Sequence, residues 1–180
     1  MQYNEIGKTG MKVSNLGFGA SSLGGVFHGI REDEAIQAVH TAVDGGINFI
    51  DVSPYYGHLK AETVLGMALK DIKRDRYVLS TKVGRYGKDG VNYWDYSAKR
   101  AKESVYESME RLNVDFIDLI NVHDVEFAEL QQVVDETLPA LVELRKEGVV
   151  GHVGITDLQP ENLKWVIEHL ALIHIPEPTR

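Results

Sequence analysis

The sequence predicts an α/β chain: an amino-terminal β-hairpin followed by the first five βα units of a (β/α)8 TIM barrel. Three observations carry this. From Leu16 onward, short apolar runs alternate with helical patterns, as in repeated βα units around a parallel sheet. The runs recur at intervals of about 30 to 40 residues, room for a strand, a helix and two loops. The glycine fingerprint of an open dinucleotide-binding sheet is incomplete, because Gly17-Phe18-Gly19 is followed by Ala20-Ser21-Ser22 with no third glycine in register.

The elements follow in order. Residues 2 to 14 read as two short strands around Lys8-Thr9-Gly10, a turn suited to a hairpin. The parallel strands are expected at Leu16 to Ala20, Ile47 to Asp51, Tyr77 to Thr81, Phe116 to Val122 and Val149 to Ile155. Between them, apolar residues recur at the 3.6-residue period. The first helix carries Ala35, Ile36, Val39, Ala42 and Val43; the second carries Ala61, Val64, Leu65, Ala68 and Leu69. The third opens after Ser97, an expected N-cap, and carries Ala101, Val105, Met109 and Leu112. The fourth is expected to start near Thr137, because Pro139 is tolerated in a first turn, and to stop before Gly148. The fifth is opened by Pro160 and shows Leu163, Val166, Ile167 and Leu170.

With 43% hydrophobic and 26% charged residues over 180 positions, the chain has globular composition. Its net charge of -8 argues against general attraction to nucleic acid or an anionic membrane. The absence of cysteine removes disulfides, thiolate nucleophiles and Cys-based zinc sites and fits a reducing compartment. The amino terminus has no signal-peptide pattern and no stretch reaches the ~18 apolar residues of a membrane span, so cytoplasmic placement is the default expectation. A complete barrel needs roughly 250 residues. Residues 1 to 171 are therefore expected to be the amino-terminal portion of one barrel domain. Residues 172 to 180 are expected to be a non-native tail, because Pro176 and Pro178 fall where a sixth strand should form and Ile173 to Arg180 resemble the translated end of a transposase adapter.

Three polar residues stand at or just past the carboxyl ends of successive strands: Asp51, Lys82 and His123. In a closed barrel those ends converge on the face that carries chemistry. Tyr56, in the loop Ser53-Pro54-Tyr55-Tyr56-Gly57, would hang over the same spot. Taken singly, each has a structural reading: Asp51 a turn residue, Lys82 a strand-end cation reaching solvent, His123 a hydrogen-bonded structural imidazole, Tyr56 a loop aromatic. Together they suit proton transfer at oxygen. An adjacent ammonium favours phenolate, Asp51 would fix Lys82, and His123 would orient a substrate oxygen. None is a good covalent nucleophile, so the electrons are expected to be carried by something bound, such as a nicotinamide. Tyr86, Tyr93, Trp94 and Tyr96 form an aromatic-rich loop after the third parallel strand, placed to stack on a sugar or to pack on neighbouring helices. His28 and His58 lack the early-strand His-x-His of a barrel metallohydrolase, so no metal is expected.

Gly46-Ile47-Asn48-Phe49-Ile50-Asp51 with Tyr56-Gly57, Thr81-Lys82, Val122-His123-Asp124 and Gly154-Ile155-Thr156 resemble the aldo-keto reductases in order and spacing. The resemblance runs from the hairpin through Leu170. It implies a (β/α)8 barrel closed at its bottom by the hairpin and bound to NAD or NADP, with Tyr56 as general acid or base, Lys82 tuning it, Asp51 pairing Lys82 and His123 positioning substrate. It also implies cofactor contacts from Gly19, Ser21, Ser22, Asp51, Thr156 and Asp157, and substrate contacts from Tyr55, Tyr56, His123 and Trp94. Many members use Ser-Asn where this chain has Thr156-Asp157.

Within the family, the segments around Gly17 to Ser21, Ser53 to Gly57, Gly84-Arg85-Tyr86 and His123 to Phe127 are most similar to members that oxidise the anomeric hydroxyl of L-galactose or L-fucose to a lactone. A broad NADPH-dependent carbonyl reductase and a cofactor-binding regulatory subunit, as in potassium channels, are the other readings the family allows. In barrels the phosphate site commonly lies after the seventh and eighth strands. The 180-residue chain alone is thus expected to bind cofactor weakly, to lack measurable activity and, with its first and fifth parallel strands as open edges, to be poorly soluble.

Overall fold

A computed structural model describes residues 1–88 and 90–170. The chain opens with an antiparallel hairpin of β1 (Tyr3–Glu5) and β2 (Lys12–Ser14). It continues through β3 (Phe18–Gly19), a one-turn 3-10 segment Ala20–Gly24, α1 (Glu32–Asp44), β4 (Phe49–Asp51), α2 (Lys60–Leu69) and β5 (Val78–Val83). Next come β6 (Arg85–Lys88), β7 (Val91–Trp94), α3 (Ala98–Leu112) and β8 (Ile117–Val122). The last described elements are α4 (Leu130–Gln132), α5 (Leu138–Lys146), β9 (Val150–Ile155) and α6 (Pro160–Leu170). The expected non-native tail at 172 to 180, with the place of a sixth parallel strand, lies outside the described residues.

Five strands form one parallel sheet in the order β3-β4-β5-β8-β9. Each strand lies beside its predecessor. A doubly wound sheet reverses its order at a switch point, whereas this progression is that of a (β/α)8 barrel carried through its first five units. Among the described residues, β3 and β9 stand at the two ends of this strand order. Apolar side chains on the sheet meet the helices in two clusters: one gathers Ile50, Leu79, Val39 and Leu65 beneath α1 and α2, the other Ile120, Val122, Val105 and Leu141 beneath α3 and α5. The hairpin is tied to the amino-terminal end of β4 by Asn48. Its amide oxygen accepts from Ser14 N–H at 2.7 Å and its Nδ2 donates to the Lys12 carbonyl at 2.9 Å.

Two expectations need correction. The fourth helical segment starts at Leu130 rather than near Thr137. Pro139 does not break it, because Val133–Thr137 form a wider π-turn in which the Leu138 N–H bonds the Val133 carbonyl, so the turn has already left the i→i−4 pattern that proline disrupts. Second, the aromatic-rich loop after the third parallel strand is an ordered hairpin, with Arg85 paired to Trp94 and Tyr86 to Tyr93 across β6 and β7. The Tyr86 and Tyr93 rings stack at 5.1 Å, and buried Tyr86 accepts from Gly84 N–H at 2.9 Å through its hydroxyl. Ser97 does cap α3, accepting from Arg100 N–H at 3.3 Å. Among the described residues, no helix is long and apolar enough to cross a membrane.

Candidate active site

The site begins with sheet register. Asp51 pairs with Ser80, and Lys82 with Asn121, across the parallel ladder. Ser80 and Lys82 are two residues apart on β5, so their side chains share a face. Lys82 lies within the strand rather than just past it, and burial there, at 5% exposure, demands compensation. The ammonium donates to Asp51 Oδ2 at 2.6 Å and to the Val52 carbonyl at 2.8 Å. Asp51 Oδ1 is held by the Ser80 hydroxyl at 2.8 Å, and Ser80 Oγ in turn accepts from Asn121 Nδ2 at 3.1 Å. The chain Asn121–Ser80–Asp51–Lys82 thus fixes the cation from three strands. Gly154 leaves room for it, since a Cβ there would overlap Asn121 Oδ1.

Tyr56 reaches the same cation from the loop after β4, its ring centroid 5.0 Å from Lys82 Nζ. That loop is wound tightly by three successive left-handed residues, Gly57, His58 and Leu59, of which the last two pay a steric cost. Gly57 packs on Gly24 so closely that a side chain on either would overlap backbone; a Cβ on Gly24 would lie 2.9 Å from the Tyr56 carbonyl. The 3-10 segment after β3 therefore clamps the tyrosine loop. Between them opens a cavity of about 470 Å³ lined by Ser21, Phe27, Tyr55 and Tyr56. Another cavity, of about 600 Å³, lies at the amino-terminal ends of the strands beside Arg74, Tyr77 and Asn113, away from these groups; that end of a barrel serves stability rather than chemistry.

His123 is fixed by the ladder, its N–H donating to the Val83 carbonyl at 2.8 Å, while its own carbonyl accepts from the Tyr96 hydroxyl at 2.8 Å. The ring stands edge-on to Tyr56 at 5.7 Å and to Tyr55 at 6.1 Å. Nδ1 is 3.1 Å from the Ser53 hydroxyl, which already accepts from Tyr55 N–H at 3.1 Å. Ser53 Oγ keeps its proton and a second lone pair for this contact; when it donates that proton to Nδ1, the imidazole hydrogen sits on Nε2. Burial holds the ring neutral, pushing its pKa from 6.5 down to about 3; Asp124 opposes this, while Lys82 and Arg85 reinforce it.

A pH dependence follows. Between about pH 6.5 and about 3 the unfolded chain binds a proton at His123 that the folded chain refuses, so stability falls as the pH drops through that window. His123→Asn is expected to flatten the acid side of a plot of urea midpoint against pH. An unchanged slope would refute the buried neutral imidazole.

The structure thus brings Asp51, Tyr55, Tyr56, Lys82 and His123 together. Trp94 stands farther out on the hairpin, half exposed, its ring 5.2 Å from Phe127. Gly19 is exposed with open space above its Cα, and Ser21 borders the Tyr56 cavity; these fit the flat end of a nicotinamide. Ser22 lies in the same 3-10 turn, where its carbonyl accepts from Gly25 N–H at 2.9 Å. Thr156 and Asp157 fit such a group less well. Thr156 Oγ1 accepts from Asp124 N–H at 2.9 Å, and the Asp157 oxygens accept from Gln159 N–H at 2.6 Å and Asn162 Nδ2 at 2.9 Å. Among the described residues no group of three or more His, Cys, Asp or Glu is gathered as for a metal.

Sequence reasoning missed Ser53, Ser80 and Asn121 as site residues. It also missed Glu62, a fully buried carboxylate that accepts from Thr81 Oγ1 at 2.6 Å, Ser108 Oγ at 3.2 Å and Arg111 Nε at 2.7 Å. Its signal was present: a charged residue on the buried side of α2 beside Ala61 and Leu65.

A buried, carboxylate-paired lysine thus stands beside a tyrosine and a histidine at the carboxyl ends of the parallel strands. The aldo/keto reductase family model matches residues 15–175, and the chain belongs to this family. It is 44% identical to L-galactose dehydrogenase from Arabidopsis thaliana, over 94% of this chain and 53% of that protein. To D-threo-aldose 1-dehydrogenase from Pseudomonas sp it is 34% identical, over 91% of this chain and 56% of that one. In structure it matches the holo form of aldo-keto reductase AKR11C1 from Bacillus halodurans with a TM-score of 0.83 at 33% identity, covering 94% of this chain and 54% of that one. The chain spans about half the length of the relatives it matches.

Proposed function

We propose that this chain carries the proton-transfer half of a nicotinamide-dependent sugar dehydrogenase, oxidising an L-galactose-like anomeric hydroxyl to a lactone. The observation that carries the reading is the Lys82 ammonium, bonded to Asp51 at 2.6 Å and set 5.0 Å from the Tyr56 ring centroid, at the mouth where His123 also stands. The identity to L-galactose dehydrogenase supports the sugar class.

NAD or NADP, when bound, supplies the hydride acceptor; Gly19 and Ser21 would border its nicotinamide end. Tyr56 in its phenolate form takes the hydroxyl proton and becomes the phenol as hydride leaves the carbon that bears that hydroxyl, so the alcohol loses one proton and one hydride and becomes a carbonyl. Two of the three Lys82 N–H groups are committed to Asp51 and Val52, which leaves the third for the Tyr56 oxygen. His123 Nε2–H donates to the substrate oxygen and aligns it. Tyr55 and Trp94 present aromatic faces to the sugar.

The test is the full-length protein with L-galactose, L-fucose and D-sugars, following reduced nicotinamide by absorbance with NAD and with NADP. L-Galactose or L-fucose is expected to give the highest kcat/KM. Turnover of simple aldehydes with no sugar oxidised would overturn the proposal.

A further inference from the structure

Arg85, the first residue of β6, has its guanidinium carbon 3.9 Å from the Tyr55 ring centroid and 5.0 Å from that of Phe127. Its Nη1 donates to Asp124 Oδ2 in a short ion pair, and its buried Nε has no hydrogen-bond partner. The same Asp124 oxygen lies 3.5 Å from His123 Nε2, too far for a good hydrogen bond. Asp124 is held from behind on left-handed backbone (φ 48°), with its N–H on Thr156 Oγ1 and its carbonyl sharing the single Tyr96 hydroxyl hydrogen with the His123 carbonyl, at 2.9 Å.

We propose that Arg85 is a positioning residue for His123: by holding the Asp124 carboxylate it leaves the Nε2–H free for the substrate oxygen. This rests on the role given to His123 above. A carboxylate so near an imidazole N–H, once released from its cation, closes the remaining gap, captures the hydrogen and stabilises the imidazolium. Arginine suits the task because rings beside it fix the plane of a fork that never loses its charge. The groups facing His123 are Lys82 from β5, Arg85 from β6, Ser53, Tyr55 and Tyr56 from the loop after β4, Tyr96 from beyond β7, and Asp124 beside it. Removing Arg85 deletes one positive neighbour and frees a negative one, and both changes push the imidazole toward protonation.

The test compares wild type, Arg85→Met, Arg85→Lys and the double variant Arg85→Met/Asp124→Asn in the full-length protein. Two readouts are used: the His123 ring titration by NMR without substrate, and the pH profile of kcat with the best sugar. Arg85→Met is expected to move the titration midpoint up by more than about one pH unit. It should also lower kcat on the acid side by ~10-fold, along the same midpoint. Arg85→Lys keeps the charge but not the stacked fork and is expected to fall between wild type and Arg85→Met, and the double variant returns the midpoint to the wild-type position. Arg85→Gln is an independent check expected to follow Arg85→Met. A titration unmoved in both Arg85→Met and Arg85→Gln overturns the clamp, as does a double variant that titrates like the single one. A moved titration with an unmoved kcat profile overturns instead the role of His123 on which the clamp depends.

Discussion

Tyr56→Phe in the full-length protein is expected to lower kcat for sugar oxidation by ~10³-fold or more, with KM changed by less than about tenfold. The substitution removes one oxygen and nothing else. The ring keeps its edge-on contact with His123 at 5.7 Å and its place 5.0 Å from the Lys82 ammonium, and the loop keeps its clamp of Gly57 on Gly24. What disappears is the atom proposed to accept the hydroxyl proton. Neither neighbour substitutes for it: the ammonium is already bonded to Asp51 and Val52, and the imidazole is held neutral with its Nδ1 on Ser53. Single-turnover hydride transfer, read by nicotinamide absorbance, separates this loss from product release. A kcat within about tenfold of wild type would assign the proton to another group.

Glu62→Ala is expected to destabilise the full-length protein by ~3 kcal/mol, because it removes the buried acceptor shared by three donors, while Arg111 keeps Glu107 as a second carboxylate partner at 3.8 Å. Glu62 is fully buried and is the shared acceptor for Thr81 on β5 and for Ser108 and Arg111 on α3. Those three donors would face a void. Glu62→Gln keeps the shape and part of the hydrogen bonding and is expected to cost ~1–3 kcal/mol. The pair Glu62→Leu/Arg111→Met removes both charges and is expected to recover much of the loss. Urea unfolding midpoints rank these variants. A Glu62→Ala midpoint equal to wild type would mean that the network contributes nothing. The network also bears on the site, since Thr81 is the neighbour of Lys82 and anchors β5 to two helices.

The four central site residues were legible because strand ends of a parallel sheet converge, so Asp51, Lys82 and His123 needed only strand positions to be placed together. The expected parallel strands came within two residues of the observed ones at every end; β5 runs on through Lys82 and Val83. An isolated lysine reads as a strand terminator; a lysine whose ammonium reaches Asp51 does not. Ser53 was not legible, because its partner His123 is 70 positions away and nothing local marks the pairing. The hairpin of β6 and β7 was readable in principle. Asp89-Gly90 between alternating residues is a turn signal, but the dense aromatics suggested a loop. The π-turn before Pro139 was not readable, because an extra residue in a helical turn leaves no compositional trace.

The most direct measurement is a double-mutant cycle on single-turnover hydride transfer, using Tyr56→Phe, Lys82→Met and the two combined. If the ammonium acts through the phenolic oxygen, its removal costs nothing more once that oxygen is gone, and the double variant transfers hydride at the rate of Tyr56→Phe alone. Losses that multiply across the two substitutions would show the two groups acting independently and would contradict the proton-transfer unit proposed for this barrel mouth.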